Sequence, residues 1–363
     1  MAISRASVPE PYAARLASVR DTLTRRKLDA YFVHDRMDQY WLTGFSGEDG
    51  SVVLTADHVV LLTDGRFDEA ATREAPYARK VLRKVRGPEA NAKEIKRLRV
   101  RRIGFNPDQV SVREFNELGK LIRPARLLAT DDPIRPLRMQ KTPGEIDRIR
   151  RAIHVAEEAF KAVRKWIRPG VTEREVAAQI EFEMRRRGAQ GPSFPTIVAF
   201  GPNSSLPHYD SGDRRWMDSE PVLIDWGAQV DWYCSDLTRV FWTGAVLPEY
   251  RTITDVVRQA HDAAIEAVRP GAKAASVDAV ARRLITKAGY GKEFNHALGH
   301  GFGLRVHEGP RVGRKSKDVL RPGMVVTIEP GIYIPGVGGA RIEDDVLVTE
   351  TGHEVLSSLP TTV

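Results

Sequence analysis

Asp225 and Asp236 bracket an apolar, β-branched and aromatic run, with Trp226, Val230, Trp232 and Tyr233 inside it, that predicts two strands folded back on each other. With the tip at Val230-Asp231, Asp225 stands directly opposite Asp236, and their Cβ atoms lie about 5 Å apart. Like charges that close repel, and a bound cation is the simplest compensation; the plainer alternative turns one Asp to solvent. The pattern returns downstream. Thr327 to Ile334, a glycine-containing turn from Pro335 to Gly339, and Arg341 to Val348 again read as strand, turn, strand. Folding about Gly336 sets Glu329 against Glu343. Between the two hairpins lies His296-Ala297-Leu298-Gly299-His300-Gly301-Phe302-Gly303, followed by Leu304 to His307. His296 and His300 could share a helical face as an i, i+4 metal pair, but Gly299, Gly301 and Gly303 favour extended backbone.

Four carboxylates and one imidazole form a hard, oxygen-rich set. Such a set suits manganese and allows cobalt, iron or zinc, and the absence of thiolates argues against a structural zinc site. Two divalent ions fit better than one, because four clustered acids carry more charge than one ion neutralises. A water between two such ions loses a proton near neutral pH and becomes a nucleophile.

The elements that must position these groups are legible. Leu16, Val19 and Leu23 repeat at helical spacing, and Leu28 to Val33 then reads as a buried strand, so the chain opens as an α/β unit. Two further strands, Ser51 to Leu54 and Val59 to Leu62, follow. Pro133 and Pro136 predict an extended linker that closes a first domain, 1–135, before a second, 136–363. Thr142-Pro143-Gly144-Glu145 is a capping box that starts a long helix with Ile149, Ile153, Phe160 and Val163 on one face. That helix stops at Arg168-Pro169-Gly170, and a second one presents Val176 and Ile180. The same order returns at Arg269-Pro270-Gly271 and Val277, with one constant offset, which predicts an internal duplication and a site shared by its two halves.

At these residues the sequence resembles the pita-bread metallopeptidases, the group of methionine aminopeptidase, aminopeptidase P and prolidase. The likeness is strongest from Thr142 to Val348. It implies an N-terminal α/β creatinase-like domain followed by a pita-bread α+β catalytic domain with pseudo-twofold duplication. It also implies metal ligands at Asp225, Asp236, His300, Glu329 and Glu343: Asp225 on one ion, His300 and Glu329 on the other, Asp236 and Glu343 bridging. Glu329 becomes the general base, His208 and His307 the groups that steady the carbonyl oxygen, and His296 a contact near the leaving residue. Arg341, two residues before Glu343, alternates to the same strand face and can brace the acids or hold substrate. The pattern Tyr40 to Gly47 with Thr63-Asp64-Gly65-Arg66-Phe67 resembles the N-terminal domain of the proline-specific members, with Asp64 and Arg66 structural. The resemblance therefore implies an Xaa-Pro aminopeptidase, with an Xaa-Pro dipeptidase as the near alternative and a non-catalytic binding module as a distant one. A dipeptidase needs a cation for the product carboxylate, and Arg314 or Lys315 could serve.

The bounds agree with this class. The 363 residues suit two domains, and 42% hydrophobic with 29% charged residues is ordinary for a globular chain. No apolar run approaches the ~18 residues that span a bilayer, and there is no signal-peptide core, so a cytoplasmic protein without a membrane partner is expected. The single Cys234 fits a reducing compartment. A net charge of +8 raises nucleic acid as a partner, but the basic residues are interspersed with apolar ones at helical spacing and no nucleic-acid motif accompanies them. The expected partner is a peptide beginning Xaa-Pro, and the resemblance adds a homodimer.

Overall fold

The computed structural model describes residues 8–361, and the chain divides into two compact units between Leu137 and Arg138. The first unit contains α1 (Tyr12–Arg25), β1 (Ala30–Val33), α2 (Arg36–Thr43), β2 (Gly50–Thr55), β3 (Val59–Thr63), α3 (Asp68–Glu74), β4 (Arg79–Leu82), α4 (Gly87–Arg97), β5 (Arg102–Phe105), α5 (Val112–Leu121) and β6 (Arg126–Ala129). The helical spacing near the start is realised: α1 buries Leu16, Val19 and Leu23. The strands form one sheet in the order β4-β3-β2-β1-β5-β6. β2 alone runs against its neighbours, and the other pairings are parallel. Phe32, Val53, Leu62 and Ile103 of the sheet pack with Ile95 of α4 and Leu118 of α5. Asp64 accepts from the Arg66 N–H at 2.9 Å and from its guanidinium, a local turn device.

The stretch expected as an extended linker is partly helical. α6 (Arg135–Met139) starts there, because the Asp132 carboxylate accepts from the N–H groups of Ile134 at 2.7 Å and Arg135 at 3.2 Å. Pro136 falls in the first turn, where its missing N–H costs nothing.

The second unit has four long helices, α7 (Pro143–Arg164), α8 (Glu173–Arg186), α9 (Pro248–Glu266) and α10 (Ala274–Lys287). Its strands before α9 are β7 (Gly191–Pro192), β8 (Ile197–Phe200), β9 (Val222–Trp226), β10 (Ala228–Val230), β11 (Tyr233–Cys234) and β12 (Leu237–Phe241). After α10 come β13 (Gly299–Gly301), β14 (Glu308–Val312), β15 (Val325–Ile328), β16 (Gly331–Ile334), β17 (Gly338–Arg341), β18 (Asp344–Val348) and β19 (His353–Val355). Both halves of the capping box at Thr142 and Glu145 are formed, and α8 carries a second one at Thr172 and Glu175.

The duplication extends to single hydrogen bonds. Gly170 N–H donates to Trp216 O and Gly271 N–H to Leu320 O, each at 2.9 Å; Glu173 N–H donates to Arg214 O and Ala274 N–H to Asp318 O. The donors are 101 residues apart (170 to 271, 173 to 274) and the acceptors 104 (216 to 320, 214 to 318). The sheets keep these offsets, since Phe200 pairs with Val222 in one half and Gly301 with Val326 in the other. Asp225 and Glu329 are thus equivalent positions, 104 apart. His300 corresponds to Ala199, so only the second half supplies the imidazole.

Candidate metal centre

The two hairpins present their acids differently. β15 with β18 and β16 with β17 share one register, in which Ile328 pairs with Asp344 and Gly331 with Arg341, so Glu329 falls opposite Glu343 as the turn at Gly336 requires. The ladder opens there: Glu329 N–H donates to Leu298 O at 2.8 Å and Glu343 N–H to Thr238 O at 3.1 Å. In the first hairpin the expected tip is displaced by one residue. Asp231 and Trp232 both have positive φ, the pattern of a type I′ turn, and Val230 pairs with Tyr233. Asp225 therefore stands opposite Thr238, and Asp236 is its diagonal neighbour on the same face, where Cβ atoms lie about 7–8 Å apart. A shift of two residues preserves the face, so both acids still point to one side.

His300 sits mid-strand in β13, not on a helix. Its flanking glycines allow strands to approach too closely for side chains: a Cβ at Gly299 would lie 1.9 Å from Thr327 O. The imidazole Nδ1 donates to Gly301 O at 3.2 Å, which leaves the Nε2 lone pair facing Asp236 Oδ2 at 3.6 Å and Glu329 Oε1 at 3.5 Å. Burial and the neighbouring His307 push its pKa down to about 4, so it stays neutral beside these acids. Ligand atoms of Asp236, His300 and Glu343 lie within 4.8 Å of one another. Asp225 and Glu329 complete a ring of buried or half-buried carboxylates.

Burial pushes Asp236 and Glu343 well above the ordinary carboxylate range, and the surrounding acids push further; burial takes Glu329 up to about 8. Asp225 is raised by burial against the pull of Arg341, and its Oδ1 has no hydrogen-bond partner among the described residues. Arg341 is the guanidinium among them. Its Nη2 meets Asp225, its Nε donates to Thr238 Oγ1 at 3.0 Å, and its Nη1 donates to Tyr333 Oη at 2.8 Å and Pro207 O at 3.3 Å. Four carboxylates against one guanidinium leave a charge deficit of the size that divalent ions fill. A lone pair aimed at carboxylate oxygens also has no favourable partner except a cation. The donor set fits a divalent metal site.

The three other histidines expected at the site differ. His307 is exposed, with its ring centroid 4.4 Å from that of His300, and His208 is exposed and near enough to Asp225, His296 and His307 to influence their titration. His296 is tied down at both nitrogens: Nδ1 donates to Ala297 O at 2.8 Å and Nε2 accepts from Tyr333 Oη at 3.1 Å. It reaches the acids through Tyr333 and Arg341, not directly.

Sequence reasoning missed Thr238, Tyr333 and Glu173. Thr238 donates to Glu343 Oε2 at 2.6 Å, and the two-residue alternation from Asp236 could have found it. Tyr333 links Arg341 to His296, and no local signal marks it. Glu173, fully buried beside the cap of α8, accepts from Phe200 N–H, Asn203 Nδ2, Tyr209 Oη and Gly212 N–H at 2.7–3.1 Å, clamping the loop that carries His208.

The fold and this centre together define a two-domain metallopeptidase. Residues 147–350 match metallopeptidase family M24, and residues 15–140 match the creatinase/prolidase N-terminal domain. The chain belongs to metallopeptidase family M24 and is a peptidase. It is 35% identical to an Xaa-Pro dipeptidase of Pyrococcus horikoshii over 347 residues, 94% of this chain and 96% of that one. Among solved structures it resembles an Xaa-Pro dipeptidase from Bacillus anthracis, with a TM-score of 0.94 and 34% identity over 97% of this chain and all (100%) of the other. An X-Pro aminopeptidase from Thermotoga maritima superposes with a TM-score of 0.88 at 34% identity, covering 94% and 100%.

Proposed function

We propose that this chain hydrolyses the bond preceding proline, and that Asp225, Asp236, His300, Glu329 and Glu343 hold two divalent ions, manganese first and cobalt, iron or zinc as substitutes. The observation that carries the reading is the ring of buried carboxylates, compensated among the described residues by Arg341, with a neutral imidazole lone pair aimed into it. When bound, such a metal pair supplies a water that is acidic near neutral pH and polarises the substrate carbonyl.

The protein groups do the rest. Glu329, held by Thr327 Oγ1 at 3.3 Å, would be ionised beside bound cations and so able to take a proton from water, a transfer worth about 10²–10⁴ in rate. His208 and His307 make no hydrogen bond among the described residues, so both rings are open to donate to the developing oxyanion. Arg341 and Tyr333 hold Asp225 and His296 in place. A peptidase that does not grip an N–H at the following residue can accept proline, whose nitrogen has none.

The relatives named as dipeptidases support a dipeptide substrate, and so does Arg311. It stands directly across from His300 on β14, exposed, on the face that bears the imidazole. That is a better station for a product carboxylate than Arg314 or Lys315 in the following loop. The aminopeptidase reading is supported by the Thermotoga maritima likeness. Metal-supplemented protein assayed on Xaa-Pro dipeptides and Xaa-Pro-Yaa tripeptides separates them: Arg311→Ala raises KM for dipeptides and leaves tripeptides unaffected. Absence of hydrolysis of both substrates would sink the proposal. We further propose a cytoplasmic homodimer that binds neither membrane nor nucleic acid; the lone, buried Cys234 supports the reducing compartment. No helix among the described residues is long and apolar enough to cross a membrane.

A further inference from the structure

Residues 291–298 carry His296 and form neither helix nor strand, so their backbone groups must find partners elsewhere. Three of those groups go to one pair of side chains on α10. Asp278, 1% exposed, accepts from the Leu298 N–H at 3.2 Å. Arg282 donates from Nη1 to Phe294 O at 3.0 Å and from Nη2 to His296 O at 2.8 Å. One helical turn apart, the two hold each other through Nε to Oδ2 at 2.8 Å and Nη2 to Oδ1 at 2.7 Å. A pair joined by two parallel bonds fixes direction as well as distance, so the guanidinium presents its remaining N–H groups to the loop in one orientation.

The effect reaches the metal centre along two lines. The guanidinium carbon lies 4.0 Å from the centroid of the buried Phe294 ring, and that ring meets the His296 imidazole edge-on, with centroids 5.0 Å apart and planes at 87°. With its carbonyl on Arg282, its ring against Phe294 and its Nε2 on Tyr333, His296 takes its place from α10. The second line runs through Leu298, whose N–H is held by Asp278 and whose carbonyl accepts from the Glu329 N–H at 2.8 Å, where the β15–β18 ladder opens.

The duplication separates this device from the framework. At the 101-residue offset that relates the helices, Ala177 and Glu181 of α8 stand where α10 has Asp278 and Arg282, and they cannot form such a pair. The first half therefore packs the equivalent helix without it. The pair belongs to the half that carries His296.

We infer that Asp278 and Arg282 are positioning residues for the hydrolysis: Arg282 sets His296 toward the substrate, and Asp278 sets the backbone of Glu329 through Leu298. The inference rests on the peptidase reading of the site.

Steady-state kinetics of the metal-loaded full chain on an Xaa-Pro dipeptide, with hydrogen exchange on the same samples, test it. Arg282→Lys keeps a cation beside Asp278 but replaces the fork by one ammonium, so the two carbonyls are no longer held together. KM rises roughly tenfold, kcat stays within about twofold, and metal content is unchanged. Asp278→Ala removes the acceptor of the Leu298 N–H; kcat falls roughly tenfold, and segments 294–299 and 326–330 exchange about tenfold faster. Unchanged KM in the first variant with unchanged kcat and exchange in the second would overturn the inference. So would a loss of kcat and metal content together in Arg282→Lys, which a purely structural pair would give. Absence of hydrolysis by the unaltered chain would remove the peptidase reading and this inference with it, whereas normal hydrolysis with unaffected variants removes the inference alone.

Discussion

Replacing Glu173 by Gln separates the positioning of His208 from the metal centre itself. Glu173 is fully buried and uses both oxygens: Oε1 accepts from Phe200 N–H at 2.8 Å and Asn203 Nδ2 at 2.9 Å, Oε2 from Tyr209 Oη at 2.7 Å and Gly212 N–H at 3.1 Å. Gln fills the same space with one oxygen. If its oxygen stays toward Phe200, Tyr209 can turn its hydroxyl to accept from the new amide, but the Gly212 N–H loses its acceptor. One orphaned N–H at about 1–3 kcal/mol, with the loss of charge assistance from the remaining bonds, amounts to roughly 2–4 kcal/mol. For a unit of this size that lowers the unfolding temperature by about 4–16 °C. The loop from 201 to 212 carries His208, so kcat/KM falls roughly 10- to 100-fold, short of the ~10²–10³ that loss of an oxyanion donor costs. Differential scanning calorimetry, metal content by mass spectrometry and turnover on an Xaa-Pro dipeptide read the three consequences. An unchanged unfolding temperature would refute the hydrogen-bond accounting. A lowered one with full kcat/KM would leave Glu173 structural and remove its link to His208.

Other outcomes follow from the same geometry. Asp236→Ala abolishes turnover and lowers metal content, checked by assay and elemental analysis of the same sample. Arg341→Met removes the counter-charge of Asp225 from a buried pair, a loss of about 3–5 kcal/mol, and calorimetry finds the metal-free protein destabilised more than the metal-loaded one, where the ions take over that role. Chelation with EDTA stops hydrolysis and lowers the unfolding temperature, since ions that bind only the native state stabilise it. Cys234 is 2% exposed and burial pushes its thiol up to about 12, so iodoacetamide at pH 8 leaves it unmodified until the chain is unfolded, read by intact mass.

Much of this protein is written locally. The capping boxes at Thr142 and Thr172, the 101-residue offset of the Pro-Gly helix stops and the glycines around His300 are short-range patterns, and each maps onto backbone geometry by steric rules that need no distant partner. The four acids and the histidine were visible for the same reason, each lying in a strand or beside a turn with its own signature. The register of the first hairpin was not, because only the φ of Asp231 and Trp232 decides where the tip falls, and neither residue is a glycine that would have announced it. The helix start after Pro133 was also local, since Asp132 accepts from N–H groups two and three residues on, but the two prolines read as linker masked that cap. Glu173, Thr238, Tyr333 and Arg311 owe their places to neighbours 27 to 105 positions away or to a strand partner. The sequence by itself determined which groups could do the chemistry and on which elements they ride. Tertiary structure decided how they face one another, because charge compensation, burial and strand register are properties of converging segments and not of any one of them.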